Sequence, residues 1–250
     1  IHVEIDAKLA VITIDRPQVR NALDVRSAAE FKDIIARIEA EEPVKAVVLT
    51  GAGGVFCAGA DLGEISNKGA VYEAWAGAGG PLAKRCTKPV IAAVEGYAVA
   101  GGLGVALWAD LRVASKTAIF GVFCRRFGIP MSDGTPTRLP HLIGRSRALD
   151  MLLTGRAVGS DEALRMGLAD RVTPPGEALE TAKALASDIA DFPQLAMLAD
   201  RAACWQAFEA DEARALVAEA EGAESAKATV AAAGASQFRD GVGRGGSFRK

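Results

Sequence analysis

Two stretches of small residues carry the chemistry most worth asking about. Residues 90–94, VIAAV, are a short apolar run behind Pro89; Ala100, Gly101 and Gly102 follow, and then a second apolar run, LGVALW, at 103–108. A covered strand that turns through small residues into a covered helix leaves unpaired N–H groups at the helix start. Glycine lets another group approach them closely. Such a turn can polarise a carbonyl oxygen with main-chain amides. It is equally the composition of a tight turn with no chemistry. The second stretch, VFCAGADL at 55–62, is also small and glycine-containing and ends in an acid, Asp61, placed to cap a helix beginning at Leu62.

These stretches must be positioned by an alternation of strands and helices. Residues 2–5 and 9–14 alternate as a hairpin about Asp6-Ala7-Lys8, and Arg16-Pro17 stops the second strand. Phe31, Ile34, Ile35 and Ile38 mark a helix ended by Glu41-Glu42-Pro43, and 44–50 is a buried strand. Residues 66–80, with Gly69, Gly77, Gly79 and Gly80 around Tyr72 and Trp75, suit a loosely held helix with flexible flanks, a lid or a pocket wall. Short strands are expected at 111–114, 118–120 and 168–172. Thr135-Pro136 reads as cap and first position of a helix. In a helix over 145–153, Ala148, Leu149, Leu152 and Leu153 are expected to face inward, and Ser160-Asp161-Glu162 opens another that ends at Gly167. Beyond Pro174-Pro175 the pattern is helical: one helix about 178–189, a second about 195–208, and two more at 211–221 and 224–233 separated by Gly222. A Gly/Arg-rich tail over 234–250 is expected to be mobile unless a partner holds it. Strand, helix, strand, glycine loop, strand, helix, strand argues for α/β layers.

A chain of 250 residues can bury a large core in one domain, with room for a smaller appendage. With 24% charged residues and a formal net charge of -2, nothing favours nucleic acid. No apolar run reaches the length of a membrane span. The opening residues lack the pattern of a secretory signal, and without a starting Met a few residues are expected to precede them. Cys57, Cys86, Cys124 and Cys204 are scattered, and His2 and His141 are the two histidines, so no metal-ligand spacing exists and reduced thiols are expected. Neither a dinucleotide fingerprint nor a phosphate loop is present; Gly51-Ala52-Gly53-Gly54 lacks the following Lys-Ser/Thr. Sparse aromatics and abundant Ala and Gly predict closely approaching elements.

Five segments together resemble the crotonase superfamily, also called the enoyl-CoA hydratase/isomerase family. They are RPQVRNAL (16–23), FCAGADL (56–62), KPVIAAVEGYAVAGGLGVALWAD (88–110), GTPTRLPHLIG (134–144) and ALRMGLADRV (163–172). They fall in the family's order and at its distances over most of the chain. The resemblance implies an α/β fold: a crotonase-like spiral of ββα units over residues 1–174 with the acyl-CoA site. Residues 175–250 would form a C-terminal helical trimerisation layer and tail. It also implies a cytoplasmic homotrimer, or a hexamer of paired trimers. The partner would be an acyl-CoA thioester, with coenzyme A part of the substrate, no prosthetic group and no metal. In that family the thioester oxygen sits between two backbone N–H groups, which map onto Ala60 and Gly101. Arg20 lies where a basic residue often meets the coenzyme phosphates. Main-chain atoms around Ala58 and Leu62 border the adenine end, with Ala60 and Asp61 between them. The dipole of a helix beginning at Gly101 adds to the field on a developing enolate. Losing one such donor typically costs about 2.7–4 kcal/mol of barrier, and a side chain at position 101 is the substitution expected to do it.

The chain departs from the family pattern at the acids. Hydratases of the family hold water and move the α-proton with two glutamates, and their positions fall here on Gly104 and Cys124. One acid occurs nearby, Asp133 in GIPMSDGT. It serves as the acid/base, or caps the following helix, or contacts coenzyme or a neighbouring subunit. Arg125 and Arg126 form a solvated basic turn, or one of them contacts Asp133, the substrate acyl group or a neighbouring subunit; a pairing with Asp133 would lower its pKa. Cys124 as a nucleophile would need a base or a positive field. Glu95 is expected to hold its loop against a neighbouring turn, His141 to be structural, Tyr72 and Trp75 to line the acyl pocket or simply to pack their helix, and Glu64 to be a lesser candidate acid. The implied activity is enoyl-CoA hydratase- or isomerase-like chemistry through a stabilised enolate, with Asp133 as acid/base. A single acid supports a proton shuttle along one face more easily than water addition. The alternative is a non-catalytic acyl-CoA-binding member of the family.

Overall fold

The computed structural model of the chain describes residues 1–68, 75–226 and 232–242. It opens with the hairpin β1 (His2–Asp6) and β2 (Leu9–Ile14), turned at Ala7 in a left-handed conformation. Asp24 then accepts from the Ser27 amide at 2.7 Å and starts α1 (Val25–Ala40), whose Phe31 and Ile38 are fully buried. Three turns of chain follow, each with one strand in a large sheet and one extended segment in a smaller array. The first is β3 (Ala46–Gly51), the bridge between Cys57 and Ala98, and α2 (Leu62–Lys68). The second is β4 (Val90–Val94), β5 (Tyr97–Val99) and α3 (Gly101–Trp108). The third is β6 (Leu111–Ser115) and β7 (Ile119–Gly121), followed by a 3-10 turn at Phe123–Phe127. Next come α4 (Thr135–Ile143), α5 (Arg145–Thr154), β8 (Ala157–Gly159), α6 (Ser160–Met166) and β9 (Arg171–Thr173).

The large sheet runs β1-β2-β3-β4-β6-β9, antiparallel at β1/β2 and parallel elsewhere; the small sheet runs β5-β7-β8. Successive turns therefore stack strand on strand in both sheets, which is the spiral of ββα units. Side chains alternate across the large sheet. Val47, Leu49, Ala92 and Val94 face the main core with Phe31 and Trp108. Ala46, Val48, Ile91, Ala93 and Val113 face α7 (Ala178–Asp191), which answers with Ala178, Ala182, Ala186 and Ala190. Four alanines at helical spacing let that helix lie close to the sheet, and a strand covered on both faces reads as an unbroken apolar run.

Several expectations are corrected. Residues 194–226 form one helix, α8 (Gln194–Ala226), with no break at 209–210 or at Gly222. It is fastened to the core by buried charge. Arg138 Nε donates to Glu212 at 2.7 Å, Arg85 lies 3.2 Å over the Trp205 ring, and Arg201 and Trp205 both donate to Asp110. The glycine at 234 does not begin a loose tail. It lies in α9 (Ala232–Arg239), where a Cβ would stand 1.7 Å from the Phe127 carbonyl oxygen, and Phe127 meets Phe238 edge to face. Residues 243–250 lie outside the described residues. In α5 it is Ala148 and Met151 that are buried, whereas Leu149 and Leu153 are 45% and 73% exposed, so the inward face is rotated from the one expected. The last strand starts at Arg171 rather than 168. Among the described residues no helix is long and apolar enough to cross a membrane.

Candidate active site

The two small-residue loops meet. Phe56 and Cys57 donate to the carbonyls of Glu95 and Tyr97, both at 2.8 Å, and Val99 donates back to Cys57 at 3.1 Å. The segments thus run side by side into α2 and α3. Ala60 and Gly101 are the same point of two successive turns, after the inner extended segment and before or at the helix start. A Cβ on Gly101 would stand 3.3 Å from Gly59 Cα and 3.5 Å from the Ala60 nitrogen; one on Gly59 would stand 2.7 Å from the Gly101 nitrogen. Neither the Ala60 nor the Gly101 amide donates to any group among the described residues. Ala100 turns the chain between β5 and α3 at φ 50°, ψ -128°, with its amide on the Gly121 carbonyl at 2.8 Å. A residue with a Cβ held there costs about 1–3 kcal/mol. That turn brings the Gly101 nitrogen up against the Ala60 loop.

A cleft opens at Ala60 between α1 and α2, lined by Leu23, Ala28, Ile65 and Trp75. Trp75 packs on Phe31 with ring centroids 6.2 Å apart. Its neighbour Ala76 donates to the Ser132 carbonyl at 3.0 Å, tying this wall to the turn that carries Asp133. Tyr72 lies outside the described residues.

Asp133 is 5% exposed. Its Oδ1 accepts from the Thr135 amide at 2.9 Å, so it does cap α4. The cap position itself belongs to Gly134 at φ 88°, and Thr135 is the first helical residue, which corrects the expected cap. The same carboxyl also packs against α3: a Cβ on Gly104 would stand 2.5 Å from Asp133 Cγ and 2.6 Å from its Cβ. Gly104 lies three residues after Gly101, on the same side of α3. Burial pushes the Asp133 pKa up from 3.8 to about 6, against the Thr135 amide and the Arg138 guanidinium, which pull it down. A pKa near 6 suits a group that both takes and gives protons near neutrality.

The arginine pair turns away from this acid. Arg125 Nε donates to the Leu152 carbonyl, and Arg126 donates to Gly155 at 2.8 and 3.1 Å while covering the Phe123 ring. Both close the C-terminal end of α5. The charged neighbour of Asp133 is Arg138, which sequence reasoning did not single out. Cys124 is buried with its Sγ 2.9 Å from Met131 Sδ, and burial raises its pKa to about 12, as it does for Cys57. A thiol so held is protonated and is no nucleophile. Native protein is accordingly expected to react with a thiol reagent at Cys204 alone, the exposed cysteine. Denatured protein should react at all four; counting labelled peptides by mass checks both.

The remaining candidates have mostly structural partners. Asp61 Oδ1 accepts from Gly63 at 3.0 Å and Glu64 at 3.3 Å, capping α2, and its other oxygen meets Arg16 at 3.1 Å. Glu64 accepts from the Val25 amide at the start of α1. Glu95 joins Thr117 and the Ala178 amide, holding the turn before β7 and the start of α7, as expected. Arg20 is exposed, and its carbonyl receives the Ala58 amide at 3.0 Å. Beside it lies a structural residue that sequence reasoning passed over. Asn21, fully buried at φ 57°, donates to the Ala52 and Val55 carbonyls and accepts from the Arg16 amide, so it supports the loop that carries Ala60. An Asn before two apolar residues, in a chain turning through positive φ, is the signal that could have found it. Among the described residues no group of three or more His, Cys, Asp or Glu could hold a metal.

The family model described as enoyl-CoA hydratase/isomerase matches residues 4–239. A crotonyl-CoA hydratase of Syntrophomonas wolfei is 36% identical over 223 residues, 87% of this chain and 86% of that protein. A short-chain-enoyl-CoA hydratase of Clostridium acetobutylicum is 37% identical over 223 residues, with 87% and 85% covered. The crystal structure of an enoyl-CoA hydratase from Mycobacterium tuberculosis superposes with a TM-score of 0.82 at 35% identity, covering 91% of this chain and 99% of that one.

Proposed function

Because the chain belongs to the enoyl-CoA hydratase/isomerase family, we propose that it is a hydratase- or isomerase-type enzyme acting on an acyl-CoA thioester. The observation that carries this reading is the convergence of the Ala60 and Gly101 loops, with both amides unspent. A thioester oxygen received between them gains its strongest hydrogen bonds as the α-proton leaves and negative charge builds on it. The dipole of α3 acts in the same direction.

Asp133 is the acid/base in this reading. It is the carboxyl packed against the helix that begins at Gly101, and burial sets its pKa near neutrality. Its Oδ1 accepts from the Thr135 amide, which fixes the carboxyl at the α4 turn. The coenzyme is held by Arg20 at its phosphates and by main chain around Ala58, Ala60, Asp61 and Leu62. Asp61 contributes backbone only, since its carboxylate is committed to α2 and Arg16. Coenzyme A enters as part of the substrate, with no prosthetic group. Assembly into a homotrimer or hexamer would cover the exposed Leu149, Leu153, Phe192 and Leu195.

Incubation with crotonyl-CoA and, separately, a 3-enoyl-CoA, followed by mass analysis and chromatography, tests the reading. A product heavier by one water, or a double bond moved into conjugation, supports it. Tight binding of both esters with neither product would identify a non-catalytic binder and overturn it.

A further inference from the structure

We propose that Gly104 is a positioning residue for the acid: the space left on α3 by its missing side chain is the seat of the Asp133 carboxyl. The helix and the α4 turn can then carry one carboxylate between them and not two. This rests on the reading of Asp133 given above and goes beyond it by naming what sets the acid in place.

Gly104 is buried in the middle of α3, where glycine is a poorer helix former than alanine. Helix propensity therefore does not account for it. The side chain it lacks would meet Asp133 at three atoms, Cγ at 2.5 Å, Cβ at 2.6 Å and the carbonyl oxygen at 2.8 Å. The last two cannot be relieved by a rotamer change. They move only if the turn moves, and the turn is pinned on both sides. Ser132 receives the Ala76 amide, and Gly134 sits against the Arg138 guanidinium, which is itself bonded to Glu212 and to the Leu82 carbonyl. The buried Cys57 and Cys124 thiols both feel its charge, which places the carboxyl between the two loops. The acid and the glycine are thus two halves of one fit, 29 positions apart in sequence.

The test follows solvent-deuterium exchange at the α carbon of butyryl-CoA, across pH, for the parent and three variants: Asp133→Gly, Gly104→Ala, and Gly104→Glu combined with Asp133→Gly. Asp133→Gly is expected to lose about 100-fold or more in kcat. Gly104→Ala is expected to lose roughly tenfold or more in kcat at little-changed KM, with the acid limb of its pH profile displaced. The double variant, in which Asp133→Gly removes the Cγ and Cβ contacts and leaves the 2.8 Å approach to the carbonyl oxygen for the turn to absorb, returns a carboxyl from the helix side and is expected to exceed Asp133→Gly by about tenfold or more. A folded Gly104→Ala with the parent's rate and pH limb overturns the inference, as does a double variant no faster than Asp133→Gly. Should Gly104→Ala fail to melt cooperatively, the double variant decides. Parental activity in Asp133→Gly would instead remove the acid/base reading itself.

Discussion

Asp133→Asn is expected to lose about 10²–10⁴-fold in kcat while making the folded chain more stable at pH 7. The two effects come from one cause. The carboxyl is buried, and burial raises its pKa from 3.8 to about 6. In the unfolded chain the proton leaves near 3.8; in the folded chain it stays until about 6. Between those values the folded state binds more protons, so stability falls as pH rises through the window and stays low above it. The gap corresponds to about 3 kcal/mol at pH 7. Asparagine keeps an oxygen for the Thr135 amide and removes the charge that must be desolvated. The variant should therefore melt higher than the parent at pH 7, and the difference should vanish below pH 4. A residue serving only as a cap behaves in the opposite way, since helix caps are favoured when charged. Urea unfolding at pH 4 and pH 7, beside steady-state rates on crotonyl-CoA, separates the two: a loss of stability at pH 7 with retained turnover would reduce Asp133 to a cap.

The readable parts of the fold were those decided by neighbours in sequence. The hairpin, the Asp61 cap and the turn into α3 are set by residues within a few positions of one another, and each took the expected form. The failures share the opposite property. Leu149 and Leu153 lie on an apolar stripe, but periodicity does not say on which side of a helix the rest of the chain lies. Gly222 costs a helix about 1 kcal/mol, too little to end one that Glu212, Arg201 and Trp205 already fasten to the core. Gly234 looked like the start of a tail because its reason, the Phe127 carbonyl, is more than a hundred residues upstream. At the site the same rule holds. The two amide loops could be located from local composition and a family likeness. Whether Asp133 was cap or acid could not be decided locally, because the contact that bears on it is with Gly104.

That distance rule also changes which glycine the oxyanion pair depends on most. Gly101 seemed the position where a side chain would do harm, yet a Cβ there meets Gly59 Cα at 3.3 Å and the Ala60 nitrogen at 3.5 Å, a tight but adjustable contact. Gly59 is the stricter position. Its φ of 95° is one that L side chains rarely adopt, and its Cβ would stand 2.7 Å from the Gly101 nitrogen and 2.8 Å from Ala100 Cβ. Ala100 has little freedom to yield, being already strained and tied to Gly121. Gly59→Ala must therefore either push the Gly101 amide off line or cover it. In either case one of two donors is lost from the developing enolate, at a cost of about 2.7–4 kcal/mol of barrier, or roughly 10²–10³ in kcat. Gly101→Ala is expected to lose less, within about tenfold. Coenzyme A affinity, measured by titration calorimetry, should change little in either variant, because the ground state leans on the pair far less than the enolate does. Equal losses in the two variants, or a loss confined to KM, would mean that these amides do not converge on the reacting oxygen.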